Sequence, residues 1–179
     1  IVQYAELWSF DTAFKNWLNS ACHFCNTLVD RIVPGASQAS KENTFKSLGF
    51  IDQLLTEGEP YHFLAIEAPE VVQNELPIDQ ISLNIIYTDD LAPYRLRKVR
   101  ILNGAHSSMV PVGLLSGCKT VGDVMESKSV ENYVKSVIFQ EIIPALSLPE
   151  EGLQTYANDI LDRFRNPFIK HQLISIALN

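Results

Sequence analysis

The sequence predicts a mainly α-helical protein with a small α/β portion on its N-terminal side. Short apolar runs bounded by Pro, Asn and Asp, which are typical of β-strands, occur only before Pro93. After Pro93 the apolar residues recur at helical intervals over long segments, and strand signals stop. We therefore place a domain boundary near residues 89–93, and expect a mixed α/β domain over residues 1–92 and an all-α domain over residues 93–179.

The first domain opens with an amphipathic segment. Apolar residues fall at helical intervals from Ile1 to Asn19, where Asp11 offers a cap that can split the stretch into two helices. The β-branched stretch Phe24 to Gly35 is either a strand or an extended turn. The polar residues Ser37 to Asn43 form either a surface loop or a short helix leading into residues 45–55.

Two strands are secure from the pattern, at His62 to Ala68 and at Asn84 to Thr88. Pro111 lacks a backbone donor, so we expect it to kink or end its helix just after His106. The second domain is expected to hold helices at residues 96–115, 120–125, 130–146 and 151–179, the last one broken at Pro167.

Composition and charge exclude several classes of protein. The chain has 179 residues and a formal net charge of −7, which argues against a nucleic-acid partner because phosphate binding needs clustered Lys and Arg. No apolar run reaches the roughly 18 to 20 residues of a membrane span, and no signal peptide is evident. The three cysteines are an odd and sparse set, which suits a reducing compartment where thiols stay free. We therefore expect a cytoplasmic protein without a membrane partner. Because the chain starts at Ile1 inside an apparent helix, we expect it to be part of a longer protein.

One segment combines three polar side chains with an apolar background. Lys98, Asn103 and His106 follow the spacing K-x4-N-x2-H on a predicted helix. At about 100° per residue, His106 lies about 80° and Asn103 about 140° from Lys98, so the three side chains can share one side. The apolar residues around them would bury most of this helix, and polar groups in such a setting are paired or functional.

These residue types suit the reversible oxidation of an alcohol. Apolar neighbours and nearby arginines lower the pKa of a lysine ammonium, which suits Lys98 to general acid and base catalysis. The amide of Asn103 can stabilise charge on a carbonyl oxygen, and a neutral His106 can orient a hydroxyl. The alternative is structural: Lys98 extends to solvent, Asn103 caps a kink near Gly104, and His106 is a core histidine.

Three ordered motifs carry a resemblance to a known family. They are the segment from Lys98 to Val112, the segment from Cys25 to Pro34 with its Asn-x-x-Val-Asp-Arg-Ile pattern, and the segment from Arg163 to Leu173 with its Arg-Phe-x-Asn-Pro pattern. Together they resemble the polyol-specific long-chain dehydrogenases, the family of mannitol 2-dehydrogenase and the hexuronate reductases. The resemblance runs over essentially the whole chain.

The resemblance implies the end of a Rossmann-type cofactor domain followed by the start of an all-α substrate domain. It implies metal-independent hydride transfer with NAD and a small sugar-acid substrate. Lys98 would then be the general acid and base, Asn103 would stabilise the carbonyl oxygen and bind substrate, and His106 would contact the substrate. Asp30, in the Val-Asp-Arg segment, would also bind substrate. The sequence does not indicate an oligomeric state.

The chain also departs from the family. None of its eight glycines forms the G-x-G-x-x-G pattern that binds dinucleotide phosphates, so no cofactor-binding residue is identified and we expect this chain alone to be inactive. Ser175 stands where mannitol dehydrogenase has an arginine, and a further active-site lysine would fall beyond Asn179. The substrate is therefore open between a hexuronate and a polyol, and a non-catalytic helical binding module is the alternative of another class.

Overall fold

The strands of the protein form one mixed sheet in the computed structural model, which describes residues 1–178. The sheet contains β1 (Asn26–Asp30), β2 (Phe63–Glu67) and β3 (Ile85–Thr88), in that order. β1 pairs with β2 in the antiparallel direction, with Asp30 opposite Phe63, whereas β2 and β3 are parallel. Both secure strands are thus confirmed, and the ambiguous stretch after Phe24 provides a third strand.

Four helices accompany the sheet. The expected split near Asp11 is confirmed, since its carboxylate accepts a hydrogen bond of 2.8 Å from the Phe14 amide and caps the second helix. The segment after Ser37 is a helix that ends at Gly49, whose φ of 77° favours glycine. In chain order the helices are α1 (Val2–Leu7), α2 (Thr12–Ala21), α3 (Gln38–Leu48) and α4 (Glu70–Glu75), followed by a 3₁₀ turn at Ile78–Gln80.

The rest of the described chain is helical and contains no further strand. One continuous helical path joins α5 (Ala92–Arg97), a π turn (Lys98–Asn103) and α6 (Gly104–Leu115). The remaining elements are α7 (Val121–Glu126), α8 (Lys128–Ser136), a second π turn (Val137–Ile142), a 3₁₀ turn (Ile143–Ala145), α9 (Glu150–Phe164) and α10 (Leu173–Ala177). The expected fold class, mainly α with a small α/β portion, is confirmed.

One expectation about helix ends is confirmed and one is wrong in part. The expected break at Pro167 is confirmed, since α9 ends at Phe164, Pro167 lies in the non-helical stretch that follows, and α10 begins at Leu173. The helix does not end at Pro111, because α6 continues to Leu115 with Met109, Val110 and Gly113 buried in the core on either side of the proline; a kink at Pro111 stays a prediction. Asn179, at the end of the expected helix, lies outside the described residues.

The largest hydrophobic core lies among the C-terminal helices. Ile101, Ala105 and Met109 are fully buried along the π turn and α6, where they pack among side chains from α7 to α10. A smaller cluster of Leu28, Phe63, Ala65 and Leu91 packs against the sheet. α6 is therefore held on several sides, and the residues at its beginning occupy fixed positions. Across residues 1–178, no helix combines the length and the hydropathy needed to cross a bilayer.

Candidate active site

Lys98 lies where the helical path meets the end of β1. Its ammonium donates a hydrogen bond of 2.8 Å to the backbone carbonyl of Val29, the residue before Asp30. The expected apolar enclosure of Lys98 is wrong, because the side chain is only half-buried and its neighbour Val99 is 49% exposed. The apolar face of this helix is turned towards the core, which leaves the lysine at the rim, in reach of a ligand.

Asn103 lies one π turn after Lys98. In a π turn the amide of a residue bonds the carbonyl five residues earlier, so the two backbone positions lie above one another on the same face. This is closer than the separation of about 140° that an ideal α-helix gives. The Asn103 side chain is exposed, does not cap α6 and bonds no described residue. Its amide is available to an incoming oxygen.

His106 lies one turn further along, in a more enclosed setting. Its ring packs on Phe164 with the centroids 4.7 Å apart and meets the ring of His171 edge-on at 5.1 Å. Burial, and then the neighbouring His171 and Arg163, lower the pKa of His106 to about 3. Burial also lowers the pKa of His171, against the opposing charge of Glu59. Both imidazoles are therefore neutral at physiological pH.

The two histidines each hold an unused nitrogen. Nε2 of His106 and Nδ1 of His171 are buried and have no hydrogen-bond partner in the described part of the chain. A buried polar atom without a partner costs free energy, and such atoms occur where a ligand or a water completes the bonding. A neutral imidazole can either donate to or accept from a hydroxyl, so this pair suits a polyhydroxylated ligand.

Asp30 belongs to a buried network of charged groups behind Lys98. The carboxylates of Asp30 and Glu59 are each 1% exposed, and both bind the guanidinium of Arg163. Nη2 of Arg163 donates to both carboxylates at 2.7 Å, and Nε donates to Glu59 at 3.0 and 3.1 Å. The hydroxyl of Tyr156 donates to the second oxygen of Asp30, which also accepts from Nη1 of Arg163 at 3.3 Å.

The network is satisfied on every side. Glu59 also accepts a hydrogen bond of 2.6 Å from the Ile32 amide. Arg163 lies over the ring of Tyr61 at 4.0 Å. Burial opposes the charge of Arg163, but its bonds to Asp30 and Glu59 outweigh this and raise its pKa above the ordinary value. Burial and the Asp30 charge raise the pKa of the Tyr156 hydroxyl, which stays protonated and remains a donor.

The structure brings the four predicted residues towards one region, although in different ways. Lys98 and Asn103 are open to a ligand, and His106 lies deeper, against α9. Asp30 is 1% exposed, and its carboxylate already accepts hydrogen bonds from Arg163 and Tyr156, which leaves a substrate little access to it. Its predicted substrate contact stays a prediction.

The sequence did not single out the partners of Asp30. Arg163 appears in one of the quoted motifs, but no local pattern links it to a carboxylate 133 residues away. Glu59 lies in an irregular segment before Pro60, where nothing distinguishes it from a solvent-exposed acid. The one available signal was the conjunction of Val-Asp-Arg and Arg-Phe-x-Asn-Pro in a single chain.

The described residues offer no metal site and no identified site for cofactor phosphates. They contain no group of three or more His, Cys, Asp and Glu side chains placed to hold a metal ion. The accessible Lys98 ammonium and the free Asn103 amide suit the reduction of a carbonyl by a nicotinamide. The residues that would hold the phosphates of such a cofactor cannot be named, because the chain has no G-x-G-x-x-G pattern.

Comparison with family profiles decides the family. The profile of the mannitol dehydrogenase C-terminal domain matches residues 90–179, and that of the mannitol dehydrogenase Rossmann domain matches residues 1–80. The chain belongs to the mannitol dehydrogenase family. The resemblance inferred from the three motifs is thereby confirmed.

Comparison with curated relatives extends to full sequences. Altronate oxidoreductase from Bacillus subtilis is 47% identical, and that from Cronobacter sakazakii is 45% identical, each over all 179 residues. The match covers 37% of each relative, so this chain spans a little over a third of their length.

Two solved dehydrogenase structures share the fold. The chain is similar to Pseudomonas fluorescens mannitol 2-dehydrogenase in a ternary complex with NAD and D-mannitol, with a TM-score of 0.70 and 25% identity. That match covers 93% of this chain and 33% of the other. A substrate-free D-sorbitol dehydrogenase gives a TM-score of 0.74 at 24% identity, over 96% of this chain and 35% of the other.

Proposed function

We propose that the protein containing this chain is an NAD-dependent oxidoreductase that reduces D-tagaturonate to D-altronate in hexuronate catabolism. Membership of the mannitol dehydrogenase family supports oxidoreduction at a CH–OH group, and the identity to altronate oxidoreductases supports the sugar acid. The observation that carries the chemistry is the Lys98 ammonium at the end of β1, with the free Asn103 amide one π turn away.

The chemistry assigns each side chain a role at the substrate carbonyl. When bound, the nicotinamide supplies the hydride. The amide of Asn103 donates a hydrogen bond to the carbonyl oxygen, whose negative charge grows as the carbon is reduced. Lys98 delivers the proton that completes the alcohol, and it accepts that proton in the reverse direction. Neutral His106 binds a neighbouring hydroxyl and orients the sugar acid, and Asp30 is a further proposed substrate contact.

The proposal includes the organisation and location of the protein. Residues 1–92 form the end of a Rossmann-type cofactor domain, and residues 93–179 form the start of a helical substrate domain. The division is supported by the confinement of the described strands to residues before Pro93. The protein acts in the cytoplasm on a small sugar acid, without a nucleic-acid or membrane partner.

The decisive experiment is NADH oxidation by the full-length protein with D-tagaturonate, D-fructuronate and fructose, each assayed separately. We expect turnover with tagaturonate. Turnover with fructuronate alone would make the protein a fructuronate reductase, and turnover with the uncharged fructose alone would make it a mannitol 2-dehydrogenase. Absence of turnover with all three would favour a non-catalytic helical binding module.

A further inference from the structure

Residues of α9 support both His106 and Lys98, two of the proposed active-site residues. Arg163 and Tyr156, on α9, bind the carboxylate of Asp30 at the end of β1. Phe164, the residue after Arg163, packs on the ring of His106 at 4.7 Å. The end of α9 therefore contacts His106 directly and reaches Lys98 through β1.

The path from Arg163 to Lys98 contains only short steps. Nη2 of Arg163 donates a hydrogen bond of 2.7 Å to the Asp30 carboxylate. The backbone carbonyl of the preceding residue, Val29, accepts a hydrogen bond of 2.8 Å from the Lys98 ammonium. β1 is an edge strand in the described chain, since it pairs with β2 alone. On its other side the end of β1 has no neighbouring strand in the described chain, and there the Asp30 side chain, bound by Arg163, adds to the pairing with β2.

The side chain at position 163 has to be an arginine for this task. Its Nε, Nη1 and Nη2 atoms all donate, and they divide their bonds between the carboxylates of Asp30 and Glu59. Glu59 is joined to the residues after β1 by its bond from the Ile32 amide. A planar fork with five donors can bridge two carboxylates in fixed geometry, which a lysine ammonium cannot reproduce.

We propose that Arg163 is a positioning residue that holds the end of β1, and through it the Lys98 ammonium, in the geometry for proton transfer. The inference deepens the proposed function and rests on it for its catalytic meaning. The physical link itself, from Arg163 through Asp30 and Val29 to Lys98, exists whether or not the substrate is a hexuronate.

The test compares Arg163→Lys with the matched control Arg165→Lys in the full-length protein. Arg165 lies two residues further along and pairs with Glu131 and Asp162 instead. We expect Arg163→Lys to lower kcat about 10- to 100-fold, since a displacement near 1 Å at a reacting group costs about that much. KM for NADH should change little, and Arg165→Lys should stay within about twofold of wild type.

A second measurement does not require turnover. Limited acetylation with acetic anhydride, quantified by peptide mass spectrometry, reports how freely the Lys98 amine reacts relative to the exposed Lys119. We expect a several-fold rise at Lys98 in Arg163→Lys and no change in Arg165→Lys, because loss of the Val29 contact frees the amine. A role in stability alone would lower the melting temperature without changing this ratio.

The outcomes separate the two proposals. If the wild type reduces none of the three sugars but Lys98 reactivity rises in Arg163→Lys, the proposed function fails and the positioning role stands. A folded Arg163→Lys protein with wild-type Lys98 reactivity overturns the positioning role. If Arg163→Lys does not fold, Tyr156→Phe takes its place: it removes only the hydroxyl bound to Asp30, and we expect the same changes at smaller size, whereas wild-type values would overturn the proposal.

Discussion

At the scale of single residues, Lys98 carries the most direct prediction. Replacing it with alanine in the full-length protein removes the proton donor, and we expect turnover at neutral pH to fall about 10²- to 10⁴-fold. Asn103→Ala and His106→Ala should give smaller losses, because each removes a hydrogen bond to substrate. Steady-state kinetics with the accepted sugar measures these changes, with Lys119→Ala as an exposed control. Near-wild-type turnover in Lys98→Ala would refute the proposed mechanism.

His106 makes stability depend on pH. Its pKa is about 3 in the folded protein, against about 6.5 for an unfolded histidine. Between pH 3 and pH 6.5, His106 binds a proton in the unfolded chain but stays neutral in the folded chain. The free energy of unfolding therefore falls as the pH drops below 6.5, by at most about 1.4 kcal/mol per pH unit. We expect His106→Gln to lose this contribution. Melting temperatures of both proteins at pH 7 and pH 5 test it, and equal acid-induced drops would contradict the burial of His106.

The site was predictable where its residues lie close together in the sequence. Lys98, Asn103 and His106 fall within nine positions, so one motif contains them. Arg163 and Glu59 are 104 residues apart and meet only after folding, so no local pattern could pair them. The sequence likewise gave no reason to expect that Lys98 lies at the rim of the apolar face, because that depends on which face of the helix the other elements cover.

At the scale of elements, the packing of α6 can be tested by paired glycine substitutions. A Cβ added at Gly113 would lie 2.8 Å from Cγ2 of Val124 on α7 and 2.9 Å from Cδ1 of Leu173 on α10. We expect Gly113→Ala to destabilise the protein by about 1 to 3 kcal/mol. Gly152→Ala, in α9 with no atom within 4 Å of its new Cβ, should instead stabilise by about 0.5 to 1 kcal/mol. Calorimetry measures the free energy of unfolding of both variants, and equal values would contradict this packing.

Hydrophobic periodicity predicts that a helix is present better than it predicts where that helix ends. The helical segments after Pro93 were found because a buried face repeats along each of them. The helix does not end at Pro111, because the cost of a proline inside a helix, about 3 kcal/mol, is outweighed by the buried residues on both sides of it. The two π turns have no signature in a single sequence, since they arise from packing and not from local preference.

At the scale of the whole molecule, the division of cofactor binding between segments gives a further prediction. The 179-residue chain has no dinucleotide phosphate loop, so we expect it to bind NADH more weakly than a micromolar Kd. The full-length protein should bind NADH in the ordinary range of dehydrogenases. Titration followed by NADH fluorescence compares the two, and a micromolar Kd for the isolated chain would contradict the prediction.

The distances along the chain within the buried charge network also bear on how the protein is made. Glu59 and Asp30 precede Arg163 by 104 and 133 residues. At about 5 to 20 residues per second, a ribosome releases both acids roughly 5 to 25 seconds before their arginine. Unpaired carboxylates resist burial, so the ends of β1 and of the Glu59 segment stay hydrated through this interval. Completion of α9 during translation is therefore the event that allows these two earlier segments to close.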